Sequence, residues 1–146
     1  MAKKSDFDLR SFLPYLLNQA AEESSLAFQQ IYKDRYGMLR TEWRVLFHLG
    51  IYGQMTAKDI GAAAKLHKTK ISRAVARLEE RRFLTRAVQE TDRRHETLAL
   101  THIGEAAYQD LLGVAADYDL KLSLGLTAKE NAFLRRILRK LAHLEP

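Results

Sequence analysis

From Asp8 to Tyr36 apolar side chains recur at helical spacing, with Leu13, Leu17, Ala20, Phe28 and Ile31 on one stripe. Pro14 fits that helix if it lies in the first turn, and Gly37 ends it. Thr41 then caps a second helix whose Trp43, Val45, Leu46 and Leu49 supply bulk to a core, and Gly50 and Gly53 around Ile51 and Tyr52 break it. Thr56 opens a short alanine-rich helix, with Asp59 near the positive end of its dipole and Ile60 with Leu66 or Ala64 turned inward. A further helix starts at Lys68. Two strand-like runs follow, LTRAVQ and ETLAL, separated by the polar stretch from Glu90 to His95. Thr101 caps a long helix to about Leu122, with Ile103, Ala107, Leu111, Val114, Ala115 and Tyr118 at threes and fours. After Ser123–Leu126, Thr127 and Glu130 form a capping box for a last helix carrying Phe133, Leu134, Ile137, Leu138, Leu141 and Leu144. The fold class is mainly α with a small β-wing.

The Lys68 helix is where the pattern acquires chemistry. At 100° per residue, Ile71, Val75 and Leu78 fall within about one-sixth of a turn, and Thr69, Lys70, Ser72, Arg73 and Arg77 spread over the other side. Taken alone, such a helix reads equally as a solvated basic face or as one that lies in a DNA major groove, where Arg reads guanine edges and short hydroxyls bind phosphates or bases. Its neighbours favour the second reading. The alanine-rich helix before it allows close approach and makes a helix-turn-helix pair. The ribbon after it carries Arg93 and Arg94 at its tip, where a minor groove's negative potential favours arginine. The whole is a winged helix-turn-helix.

The block IGAAAKLHKTKISRAVARLEERRFLTR, then Asp92-Arg93-Arg94, then LALTHIGE, resembles the MarR family of transcriptional regulators in element order, length and spacing. The resemblance implies a homodimer that binds double-stranded DNA at a roughly palindromic operator, usually as a repressor, with many members released by small, often phenolic, ligands. It gives Thr69, Lys70, Ser72, Arg73 and Arg77 recognition-helix roles and Arg94 the minor-groove role. Asp92 would brace that arginine rather than touch DNA, since phosphates repel a carboxylate. It also places an effector pocket where dimer helices meet the winged part, which by position makes Tyr15, Asn18, Trp43 and His48 lining candidates for a small aromatic effector. General tendencies favour the plainer roles of core anchor for Trp43 and ordinary helix residue for His48. The sequence departs from the family pattern twice. His67 stands where a serine or similar cap is usual, which predicts a poorer N-cap. Arg82 replaces the common glycine past the recognition helix, whose end must then close without the residue that turns left-handed easily.

At 146 residues and 47% apolar, the chain reads as one unit, 1–146, with a winged part at 38–100 and helical dimerisation parts at 8–36 and 101–146. The apolar arc of the last helix is wider than the winged part needs, so the first helix and the last two are expected to pair with a second copy. The net charge of +6, from 24 Lys and Arg against 18 Asp and Glu, favours polyanionic partners modestly, and its concentration between Lys58 and Arg94 says more. Without cysteines there is no disulfide, thiol sensor or thiolate metal site. The five histidines have no metal-ligand spacing and the glycines form no phosphate loop, so no enzyme, metal or cofactor is expected. With neither a secretory signal nor a membrane-length apolar run, the expected location is cytoplasmic, with no membrane partner. The competing reading is a winged-helix module for protein or RNA without operator specificity.

Overall fold

A computed structural model describes residues 6–88 and 96–144. Helix α1 spans Leu13–Tyr36, preceded by a single 3₁₀ turn, Leu9–Ser11, capped by Asp8. Pro14 sits in the first turn of α1, where its missing N–H costs nothing. Gly37, at φ 64°, closes the other end, and the Arg81 guanidinium donates to the freed carbonyls of Tyr36 and Gly37.

Helix α2, Arg40–Tyr52, corrects two expectations. It starts before Thr41, with Leu39 at the N-cap and no side-chain capping bond. Its first residue is held from outside instead: Arg40 pairs with Glu22 at 2.9 Å and donates to Ser25 and Gln29, all on α1. Nor does Gly50 break α2, which runs on to Gly53 at φ 79°. The Tyr108 ring lies so close to Gly50 that a Cβ would overlap it, so this glycine serves packing rather than termination.

Strand β1 (Met55–Thr56) leads into α3 (Ala57–Ala64), α4 (Lys68–Glu80), β2 (Leu84–Val88) and β3 (Glu96–Leu100). The expected two-stranded ribbon is a three-stranded antiparallel sheet of order β1-β3-β2, pairing Met55 with Leu98 and Leu84 with Leu100. Thr56 accepts from the Asp59 N–H at 3.1 Å, as the sequence predicts. Thr101 likewise caps α5 (His102–Ser123), accepting from the Gly104 N–H at 3.0 Å.

Contacts divide the chain into two compact units, residues 1–112 and 113–146. The first holds the core: Met38, Val45, Leu46, Ile60, Val75, Leu78, Leu84, Leu98 and Leu111 are all essentially inaccessible. An aromatic chain runs alongside, with Phe28 and Tyr32 on α1, Trp43 and Phe47 on α2, and Tyr108 on α5 at successive ring spacings of 4.9–5.8 Å. In the second unit α6 (Ala128–Leu141) begins with both hydrogen bonds of the Thr127–Glu130 capping box. Arg135 ties this unit together through Asp119 and Ser123. No residue of α6 is buried, and Phe133, Leu134, Leu138 and Leu141 stand exposed.

Candidate nucleic-acid interface

Helix α4 turns Ile71, Ala74, Val75 and Leu78 into the core, each at most 3% exposed. The amphipathic period therefore holds, with Ala74 added to the stripe. It packs on α2 and α3, where a Cβ on Gly61 would sit in ordinary contact with Ile71 at 3.5 Å and more tightly, at 3.3 Å, against the Leu66 carbonyl of the intervening turn. Thr69, Lys70, Ser72, Arg73 and Arg77 are all exposed on the remaining arc.

Both departures at the ends of α4 resolve structurally. His67 caps the helix after all, its Nδ1 accepting from the Thr69 N–H at 3.2 Å, which requires the Nε2-protonated tautomer. At the far end Arg82 itself takes the left-handed conformation, φ 68°. The Phe83 N–H reaches the Leu78 carbonyl at 2.8 Å and the Arg82 N–H the Glu79 carbonyl at 2.9 Å, a Schellman closure built on arginine. Thr101 then donates its hydroxyl to the Arg82 carbonyl at 2.6 Å, joining the end of α4 to the start of α5.

Three ion pairs that sequence reading missed lie beside this helix. Arg86, on β2, donates to Glu79 of α4 at 3.0 Å and to Glu96 of β3 at 3.2 Å, so one guanidinium ties the sheet to the helix. Arg77 lies with its Nε 3.2 Å from Glu42 on α2. Glu42 is fully buried, and neither of its oxygens accepts a well-directed hydrogen bond, so the contact is one of charge rather than of aligned N–H and lone pair. Between α3, α4 and β2 lies an open groove of about 710 Å³ whose lining includes Lys58, Lys68, Ser72 and Arg86 above an apolar floor of Ala62, Leu66 and Val75.

Asp92, Arg93 and Arg94 lie outside the described residues, between the ends of β2 and β3. The four effector candidates are not gathered within the chain. Tyr15 is half-buried and Asn18 exposed near the start of α1. Trp43 packs against Phe28 and Tyr32, and at a rise of 1.5 Å per residue Phe28 lies about 20 Å along α1 from Tyr15. Trp43 thus sits in the aromatic cluster, its indole N–H buried without a partner among the described residues. His48 places Nδ1 2.7 Å from the Arg44 carbonyl of its own helix. Among the described residues no group of three or more His, Cys, Asp or Glu could hold a metal, and no helix is long and apolar enough to cross a membrane.

Residues 36–95, from the end of α1 into the wing, match the model of the MarR family. Over this segment the chain resembles the MarR family. It is 24% identical over 107 residues to the uncharacterized HTH-type transcriptional regulator YwaE of Bacillus subtilis, which covers 73% of this chain and 63% of that protein. The chain thus spans less than two thirds of the length of the curated relatives it matches. Among solved structures it is similar to BpsR of Bordetella bronchiseptica, whose DNA binding is regulated by 6-hydroxynicotinic acid, with TM-score 0.84, 22% identity and coverage of 95% of this chain and 99% of that one. It is also similar to S. aureus MepR in its DNA complex, with TM-score 0.80, 20% identity and coverage of 90% and 97%. These two likenesses show the winged-helix fold.

Proposed function

We propose that this chain is a MarR-family, sequence-specific DNA-binding regulator of transcription, a repressor acting as a homodimer on an inverted-repeat operator. The observation that carries the reading is the division of α4: four apolar residues are locked into the core, and Thr69, Lys70, Ser72, Arg73 and Arg77 are left exposed together. Hydroxyls and guanidinium groups on a rigidly seated helix match base edges and phosphates in the major groove. Arg93 and Arg94 extend this reading to the flanking minor groove, with Asp92 as their brace.

The homodimer is supported by large apolar side chains left exposed in each unit. Leu13, Leu16 and Leu17 of α1 stand exposed, as do Leu120, Leu122 and Leu124 and the four large apolar side chains of α6 named above. A paired molecule would set two recognition helices about 34 Å apart, the spacing of successive major grooves, which is why an inverted repeat is the expected target. Sedimentation at micromolar concentration should give a dimer, and a monomer would remove this geometry. Release by a small aromatic acid follows the regulation of BpsR by 6-hydroxynicotinic acid, and such a ligand acts only by binding better to a form whose recognition helices are wrongly spaced. In this chain its site would fall around Tyr15, Asn18, Trp43 and His48 only if a second copy brings the start of α1 to the aromatic cluster.

The test is Arg73→Ala, measured on the duplex selected from a random pool and on a random duplex of equal length. Losing a base contact costs about 1–3 kcal/mol on the selected site and little on the other. Equal losses on both would reduce Arg73 to a phosphate contact.

A further inference from the structure

Glu42 is the one charged side chain fully buried among the described residues, and its counter-charge comes from the recognition helix. A carboxylate removed from water needs such a partner or it destabilises the fold. Arg77 meets that need with Nε at 3.2 Å and still leaves 46% of its side chain exposed. The Arg77 side chain makes no other polar contact among the described residues, so the outer side of its guanidinium keeps its donors for something beyond the chain.

We propose that Glu42 is a positioning residue for DNA: its buried carboxylate holds the Arg77 guanidinium in one place and so presents the outer edge as a preformed contact for one phosphate. This rests on the DNA-binding reading above. A free arginine loses several rotamers when a phosphate orders it, and an arginine already drawn to one place by a buried charge has lost part of that freedom on folding. The pin comes from α2, which packs directly on α4, so the contact is fixed relative to the helix that reads bases.

The sign of one substitution separates this from simple electrostatics. Glu42→Gln removes a negative charge next to the DNA-facing side and raises the net charge of the chain by one, which through Coulomb attraction alone tightens binding to any duplex. Positioning predicts the reverse: affinity about tenfold weaker, as for loss of one charge-assisted contact, with the salt slope reduced by about one phosphate. In an Arg77→Gln background Glu42→Gln should then have no further effect. Unchanged or tighter binding by Glu42→Gln, or an equal loss in both backgrounds, overturns the proposal and leaves the DNA-binding reading standing. If Glu42→Gln fails to fold, Arg77→Lys decides: lysine neutralises the buried carboxylate, but one ammonium cannot serve Glu42 and a phosphate together. It should melt near the parent protein and bind about tenfold more weakly with a shallower salt slope; parental affinity and slope would overturn the proposal. Failure of the unsubstituted dimer to bind any duplex would sink the parent reading and this one with it.

Discussion

Arg82→Gly should stabilise the protein even though it deletes a charged residue at the end of α4. Arg82 holds φ 68° and closes α4 with two backbone hydrogen bonds, while its exposed side chain makes no polar contact among the described residues. A left-handed backbone costs an L-residue about 1–2 kcal/mol. Glycine removes that strain but has more freedom to lose on folding, about 0.5–1 kcal/mol. The difference is a net stabilisation of about 0.5–1 kcal/mol, and at a urea slope of about 2 kcal/mol/M it raises the midpoint by about 0.3–0.5 M. The assay is urea unfolding at fixed protomer concentration, because pairing would make the midpoint concentration-dependent. Arg82→Ala is the control, since it strips the side chain but keeps the Cβ, and it should stay within about 0.5 kcal/mol of the parent. Were alanine to stabilise as much as glycine, the effect would belong to the side chain and the strain argument would fail. A lower midpoint for Arg82→Gly would refute it outright.

Gly104→Ala should destabilise by about 1–3 kcal/mol, because a Cβ there overlaps the Phe83 carbonyl oxygen, a backbone atom already held by the Thr101 N–H; a melting temperature equal to the parent's would show that the start of α5 can shift freely. The Tyr36 hydroxyl donates to Asp110 at 2.5 Å, and desolvation together with that carboxylate pushes the phenol up to about 12 from 10.0. Since its folded value is raised, its contribution to stability is complete below pH 10 and disappears as pH climbs through about 12. Ultraviolet difference titration of the parent against Tyr36→Phe should isolate one phenol ionising near 12, and a difference signal centred near 10.0 would dissolve this link between α1 and α5. At the other limit, Tyr36 and Arg35 lower Asp110 below 3.8, so its share of stability is present above pH 3.8 and vanishes as pH falls through the folded value. Asp110→Asn should therefore flatten the acid limb of a stability–pH curve, and an unaltered limb would remove Asp110 from it.

What was legible in the chain is what local periodicity and capping chemistry dictate. The stripe of α4, the Thr56 and Thr101 caps and the Thr127–Glu130 box all depend on residues within one or two turns of each other, and all appear where the pattern puts them. The misreadings share a different cause. Thr41 looked like a cap because nothing local reveals that Arg40 is held on α1 by Glu22, Ser25 and Gln29, and that tertiary grip starts the helix earlier. Gly50 looked like a break because its helix cost of about 1 kcal/mol is visible locally and the Tyr108 ring that needs the missing Cβ is not. Strand β1, two residues long, is too short for any alternation and exists only because β3 supplies its partner.

The same distinction bears on the interface itself. Periodicity shows which side chains of α4 leave the core, and it treats Arg73 and Arg77 alike. The fold separates them. No polar partner for Arg73 occurs among the described residues, whereas Arg77 answers a buried carboxylate on another helix. Exposed arginines on one helix face therefore need not do equivalent work: one is free to follow a base edge, and the other is coupled to the seating of the helix on its support. If both contact DNA as proposed, replacing either with alanine should weaken binding, but only the Arg77 change should also destabilise the fold, by leaving Glu42 buried without a counter-charge. An alanine scan scored by DNA binding alone would rank the two residues together, and measuring unfolding beside it is what tells reading from support.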